Sequence, residues 1–138
     1  MAFIHQTRVR FHEADPAGIA FFAGVLTWCH VAYEELLQAA DLPLARILAE
    51  GRWALPLVHA EADYRQPCRY GAEVKVEVVV AELGDRRFTL AYRVLGPEGA
   101  CLATARTVHV VVDRGNGRPA SIPDELRAVL AAHQAPPA

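Results

Sequence analysis

"RVRFHEADPAGIAFFAGVLTWCHVAYEELL", residues 8–37, decides the fold. It begins as a loosely alternating strand pattern, breaks at Asp15-Pro16-Ala17-Gly18, and continues as a long apolar run. Asp at the first position, Pro at the second and Gly at the fourth are ordinary β-turn chemistry. Beyond the turn, from about Phe22 or Ala23 to Ala40, Gly24 is the only turn-prone residue. Val25, Trp28, Cys29, Ala32, Leu36, Ala39 and Ala40 recur at three- and four-residue spacing. That spacing predicts a helix of about 18 residues, roughly 27 Å long. Val31, Tyr33 and Leu37 widen its apolar face, so the helix needs cover over much of its girth.

Before the turn, residues 3–13 read as a strand, with Val9, Phe11 and Phe3 on one face and Gln6, Arg8 and Arg10 on the other. After the helix, Leu44–Glu50 reads as a short second helix that stops at Gly51. Four further strands follow, at 55–65, 73–82, 87–95 and 101–112. Val74, Val76, Val78 and Val80 share one face of the second of these, and Phe88, Leu90, Tyr92 and Val94 share one face of the third. The run Val108–Val112 is apolar on both faces except at His109, which predicts a central or interface strand. Gly84-Asp85 and Gly96-Pro97 with Gly99 mark hairpins, and a last amphipathic helix is expected over 123–132 before a frayed tail at about 134–138. Short hairpins and few crossover helices favour antiparallel pairing. The expected architecture is α+β: one domain over 1–138, with about five antiparallel strands curled around the long helix.

Composition excludes several classes of function. The 138 residues carry a formal net charge of −2, so there is no global basic field for nucleic acid. Cys29, Cys68 and Cys101 are widely spaced and odd in number, against a disulfide framework or zinc site and in favour of a reducing cytoplasm. No apolar stretch approaches a membrane span, and neither a dinucleotide-binding glycine motif nor a phosphate-binding loop is present. His30 and Glu34 stand at helical i, i+4, but spacing supplies no third ligand, so no metal is expected. Glu34 and Glu35 read as solvated or as edge residues of an oligomer. From spacing alone Asp15 reads first as a turn former or helix cap.

Two segments change that reading. "RFHEADPAGIAFFAGVLTWCHVAYEELL" followed by "PLVHAEADYRQPCRYGAEVKVEV" resembles the hot-dog-fold acyl-CoA thioesterases, over roughly residues 5–127. The family resembled is that of 4-hydroxybenzoyl-CoA thioesterase, and V-H-A-x-x-D-Y-x-x-P points towards its 1,4-dihydroxy-2-naphthoyl-CoA hydrolase branch. The resemblance implies hydrolysis of an acyl-CoA with an aromatic or bulky acyl group, with Asp15 as nucleophile or general base. It assigns the oxyanion donor to the backbone amide of Phe22, in the first helical turn. It gives His59, which by its place on the polar face of its strand reads as a structural or surface histidine, an acyl-pocket or water-orienting role, and it sets Arg86 and Arg87 against coenzyme A phosphates. Phe21, with Phe22 and Trp28, would line an aromatic pocket or belong to the core. The resemblance implies no cofactor beyond the coenzyme A of the substrate, and a homodimer or tetramer with sites built from two chains. Alternatives are a thioesterase for short aliphatic acyl-CoA or acyl carrier protein, and a non-hydrolytic acyl-CoA binding module.

Overall fold

A computed structural model describes residues 1–136. Five strands form one antiparallel sheet in the order β1-β4-β5-β6-β3. They are β1 (Phe3–Arg8), β3 (Leu57–Tyr64), β4 (Glu73–Leu83), β5 (Arg87–Leu95) and β6 (Cys101–Val110). A short ribbon pairs β2 (Trp53–Ala54) with β7 (Val112–Asp113). The helices are α1 (Phe22–Ala39), α2 (Leu44–Glu50) and α3 (Asp124–Ala132). This is the α+β arrangement expected, with α1 lying on one face of the sheet.

The core follows from two periodicities meeting. In β4 and β5, Val76 opposes Val94, Val78 opposes Tyr92 and Val80 opposes Leu90, so these side chains share one face. All of them are buried, as are Val74 and Phe88. From α1, Val25, Trp28, Cys29, Ala32, Tyr33, Leu36 and Leu37 supply the opposing surface. Each fully buried large apolar side chain contributes on the order of 1.5–3 kcal/mol, which is why the pattern outweighs the helix's lack of a side-chain cap.

Three expectations need correction. The first strand ends at Arg8, not residue 13, and Phe11–Glu13 forms a 3₁₀ turn with Phe11 80% exposed. Val9 is buried and tied to the chain before β4, with Val9 N–H donating to Ala72 O and Gly71 N–H to Val9 O. That clamp ends the strand and sends the chain towards α1. Ala39 and Ala40 are exposed at the end of the helical stripe. The reading of Val108–Val112 as a central strand agrees with the position of β6 between β5 and β3, and His109 on it is 1% exposed in the core. The tail is also held at its start. Val80 N–H donates to His133 O and Ala135 N–H to Val80 O, beside the part of β4 that β1 leaves unpaired. Residues 137–138 of the expected frayed segment lie outside the described residues.

The two sheet edges differ. β3 is exposed at every residue except Ala62, which is partly buried, and Leu57, Val58 and Tyr64 are about half exposed. A bulge at Val58 sets the strand so that Ala60, Ala62 and Tyr64 oppose the inward-facing Thr107, Ala105 and Ala103. These three therefore face the α1 side, and His59, Glu61 and Asp63 face outward.

Candidate active site

Asp15 sits at the first position of the turn its sequence prescribes. Its backbone N–H donates to Ile19 O at 2.8 Å, and its carbonyl accepts Gly18 N–H at 2.9 Å. The side-chain Oδ1 accepts Ala17 N–H at 2.8 Å. Oδ2 has no donor among the described residues. Gly18 has φ +79°, the left-handed region that closes the turn at little cost only for glycine. The turn reading is therefore correct, and it leaves one carboxylate oxygen available.

Five residues beyond Ala17, α1 begins at Phe22, with Phe21 as its N-terminal flank. Phe21 N–H is used, donating to Glu13 O at 2.8 Å. Phe22 N–H has no acceptor among the described residues, and it opens the helix where the positive end of the macrodipole lies. Asp15 and Phe22 line the same cavity, of about 410 Å³, with Ile19, Phe21, Val25, Tyr64 and Cys68. Burial at its floor raises the Cys68 thiol above its ordinary pKa, so it stays protonated and inert near neutral pH. Tyr64 closes one wall, its hydroxyl donating to Phe22 O at 2.6 Å. A larger concavity of about 630 Å³ runs along Gln6, Arg8, Lys75 and Gly96–Gly99. It contains none of the expected site residues, and chemistry favours the smaller one.

The structure brings Asp15, Phe21 and the Phe22 amide together. It does not bring the other expected residues to them within one chain. His59 lies on the outward face of β3 and bonds Glu61 across 3.1 Å. Arg86 and Arg87 are exposed on the β4–β5 hairpin, Arg86 beside Asp85 at 3.6 Å. Asp15 is held at the other end of β4, since Tyr70 N–H donates to Gly18 O just before that strand. Eleven residues of extended chain separate those ends by roughly 30 Å. Glu34 and Glu35 are exposed. Among the described residues, no His, Cys, Asp or Glu cluster could hold a metal ion, and no helix is long and apolar enough to cross a membrane.

Two features escaped sequence reasoning. Glu13 accepts the Trp28 indole N–H at 2.6 Å, a pairing visible beforehand only through the rule that a buried indole needs an acceptor. Deeper along α1, Tyr92 OH, Thr107 Oγ1 and His109 Nε2 form a buried chain at 2.8 and 3.0 Å. His109 stacks on Phe88 and packs against Tyr33. Burial, reinforced by the nearby His30, lowers the His109 pKa to about 4, so the ring is neutral in the folded protein at pH 7.

Comparison with known proteins adds to this geometry. Residues 9–130 match the family model described as the thioesterase-like superfamily. The chain is 34% identical over 126 residues to a 1,4-dihydroxy-2-naphthoyl-CoA hydrolase of Nostoc punctiforme, covering 91% of this chain and 84% of that one. The crystal structure of a 1,4-dihydroxy-2-naphthoyl-CoA thioesterase from Synechocystis superposes with a TM-score of 0.90 at 30% identity, covering 95% and 96% of the two chains. A crystal structure of the dynemicin thioesterase, a protein for which polyene binding is known, gives a TM-score of 0.91 at 25% identity over 99% of this chain and 100% of that one.

Proposed function

This chain belongs to the thioesterase-like superfamily and is a thioester hydrolase, and we propose that it cleaves an aromatic or similarly bulky acyl-CoA with Asp15 as the reacting carboxylate. One observation carries the assignment: a carboxylate with a free oxygen and an unpaired helix N-terminal amide share a cavity walled by aromatic and aliphatic side chains. A thioester carbonyl held there would have Phe22 N–H beside its oxygen, where negative charge develops on attack. Asp15 then acts in one of two ways. It attacks the carbonyl carbon, expelling the coenzyme A thiolate, which takes up a proton, and leaving an anhydride that water opens. Alternatively it removes a proton from water as that water attacks, and the thiol leaves with a proton.

The cavity is within the size range of small-molecule sites, and Phe21, Phe22, Tyr64 and Val25 suit a flat apolar ring system. The substrate named for the two cyanobacterial relatives, 1,4-dihydroxy-2-naphthoyl-CoA, fits that description. Thiol release from that thioester, 4-hydroxybenzoyl-CoA and short aliphatic acyl-CoAs tests the reading. The aromatic thioesters should have the highest kcat/KM. A preference for acetyl- or butyryl-CoA would move the enzyme to the aliphatic alternative, and saturable binding without turnover would make it a binding module.

A second copy completes the site in this reading. β3 offers an exposed edge with unpaired backbone groups, which a twofold-related β3 can pair antiparallel. Such pairing sets the Leu57 end of one strand beside the Tyr64 end of the other. Arg87 opposes Val110, next to the Leu57 end, so a partner's Arg86 and Arg87 approach Asp15 where those of its own chain do not. The expected mass in solution is that of a dimer or tetramer. A strictly monomeric, fully active enzyme at micromolar concentration would remove this part of the proposal.

A further inference from the structure

Glu13 has no part in the chemistry above, yet it is the residue that joins the Asp15 turn to α1. Its Oε2 accepts the Trp28 indole N–H at 2.6 Å, and its Oε1 accepts the Arg10 backbone N–H at 2.8 Å. Its carbonyl accepts Phe21 N–H at 2.8 Å. One residue thus grips the chain before the turn, the residue flanking the helix, and a side chain in the helix itself. Trp28 is 3% exposed, packed among the core residues of α1, and so is a fixed point. From Glu13 only Ala14 intervenes before Asp15, and Ala14 pairs with Ala20 across the turn.

We propose that Glu13 is a positioning residue that holds Asp15 at its working distance from the Phe22 amide, anchored through Trp28; this rests on the thioesterase reading of Asp15. A buried indole needs an acceptor, but any carbonyl would satisfy it. A carboxylate that is partly buried is costlier to place, and here both its oxygens are used to tie separate segments. The reaction is sensitive to such a tie. A shift of about 1 Å between reacting groups lowers rates by about a hundredfold, while a bound substrate's affinity changes little.

The test compares Glu13→Ala, Glu13→Gln and Trp28→Phe with Asp15→Asn as reference, reading kcat, KM, melting temperature and amide hydrogen exchange at Asp15 and Ala17. Glu13→Ala should lower kcat by about tenfold to a hundredfold with KM within about threefold, and should speed exchange at both amides. Gln offers one carbonyl oxygen to two donors, so Glu13→Gln should lower kcat by at least about threefold, and by less than Glu13→Ala. Trp28→Phe should reproduce part of the loss and add nothing in the Glu13→Ala background. If Glu13→Ala or Glu13→Gln folds and keeps kcat within twofold of wild type while Asp15→Asn is inactive, the proposal is overturned, whatever the melting temperature does. If Asp15→Asn itself stays active, the catalytic reading of Asp15 fails instead. With no reacting carboxylate to position, the proposal falls with that reading, an outcome told apart from the first by the activity of Asp15→Asn.

Discussion

The first turn of α1 and its middle are written in the same apolar alphabet and live in opposite environments. At the start, Phe21 and Phe22 are 50% and 62% exposed. Further along, Trp28, Cys29, Ala32, Tyr33, Leu36 and Leu37 are all essentially buried against the sheet. Apolar composition therefore does not separate a site from a core. The separation comes from what faces each stretch: the middle meets the valines of β4, while the first turn meets the Asp15 turn and a cavity. The polar groups divide the same way. Those at the first turn face a cavity with hydrogen-bonding capacity to spare, whereas the Tyr92–Thr107–His109 chain is sealed in the core, where His109 Nδ1 and the nearby Tyr33 hydroxyl have no partner among the described residues.

The sharpest way to break this contrast is to truncate one large side chain in each half. Leu36→Ala should cost about 2–5 kcal/mol of unfolding free energy, because it opens a cavity in packed core. Phe22→Ala should cost under about 1 kcal/mol and act instead on kcat/KM for the aromatic substrate. Chemical unfolding and steady-state kinetics on both variants check this. Equal stability losses would mean that the first turn is core after all.

A somewhat smaller effect lies in pH. His109 has a folded pKa of about 4, below the ordinary histidine value of 6.5. Between those values the unfolded chain binds a proton that the folded one does not, so stability is full above about pH 6.5 and falls towards pH 4. The loss is roughly 3 kcal/mol at most, by about 1.4 kcal/mol per pKa unit. Urea unfolding across that window should show a slope in wild type that is reduced in His109→Gln. Identical slopes would place the pH dependence elsewhere.

Much of the fold was legible because its signals are local. The valine alternation of β4, the register of Phe88 to Val94, and the helical stripe from Val25 to Leu37 each follow from one element's own period. Asp15 and the Phe22 amide were legible through the turn and the family resemblance together. What was not legible depends on partners distant in sequence. Phe11 continues a two-residue alternation, and only the Val9–Ala72 clamp reveals that the strand has ended. His109 reads as polar until Thr107 gives it a buried partner. Arg86, Arg87 and His59 have the right chemistry for a thioester site. Their distance from Asp15 depends on which end and which face of the sheet they occupy, and no spacing rule supplies that.

We read the Asp15 turn as serving chemistry and not only the entry into α1. Asp15→Asn tests it most directly, because asparagine keeps an oxygen to accept Ala17 N–H while removing the charge. Single-turnover hydrolysis of the best acyl-CoA, measured with the unfolding free energy of the same sample, gives both quantities at once. The expected rate is lower by about a hundredfold or more, with stability changed by at most about 1 kcal/mol. A near wild-type rate in Asp15→Asn, whatever its stability, would contradict this reading.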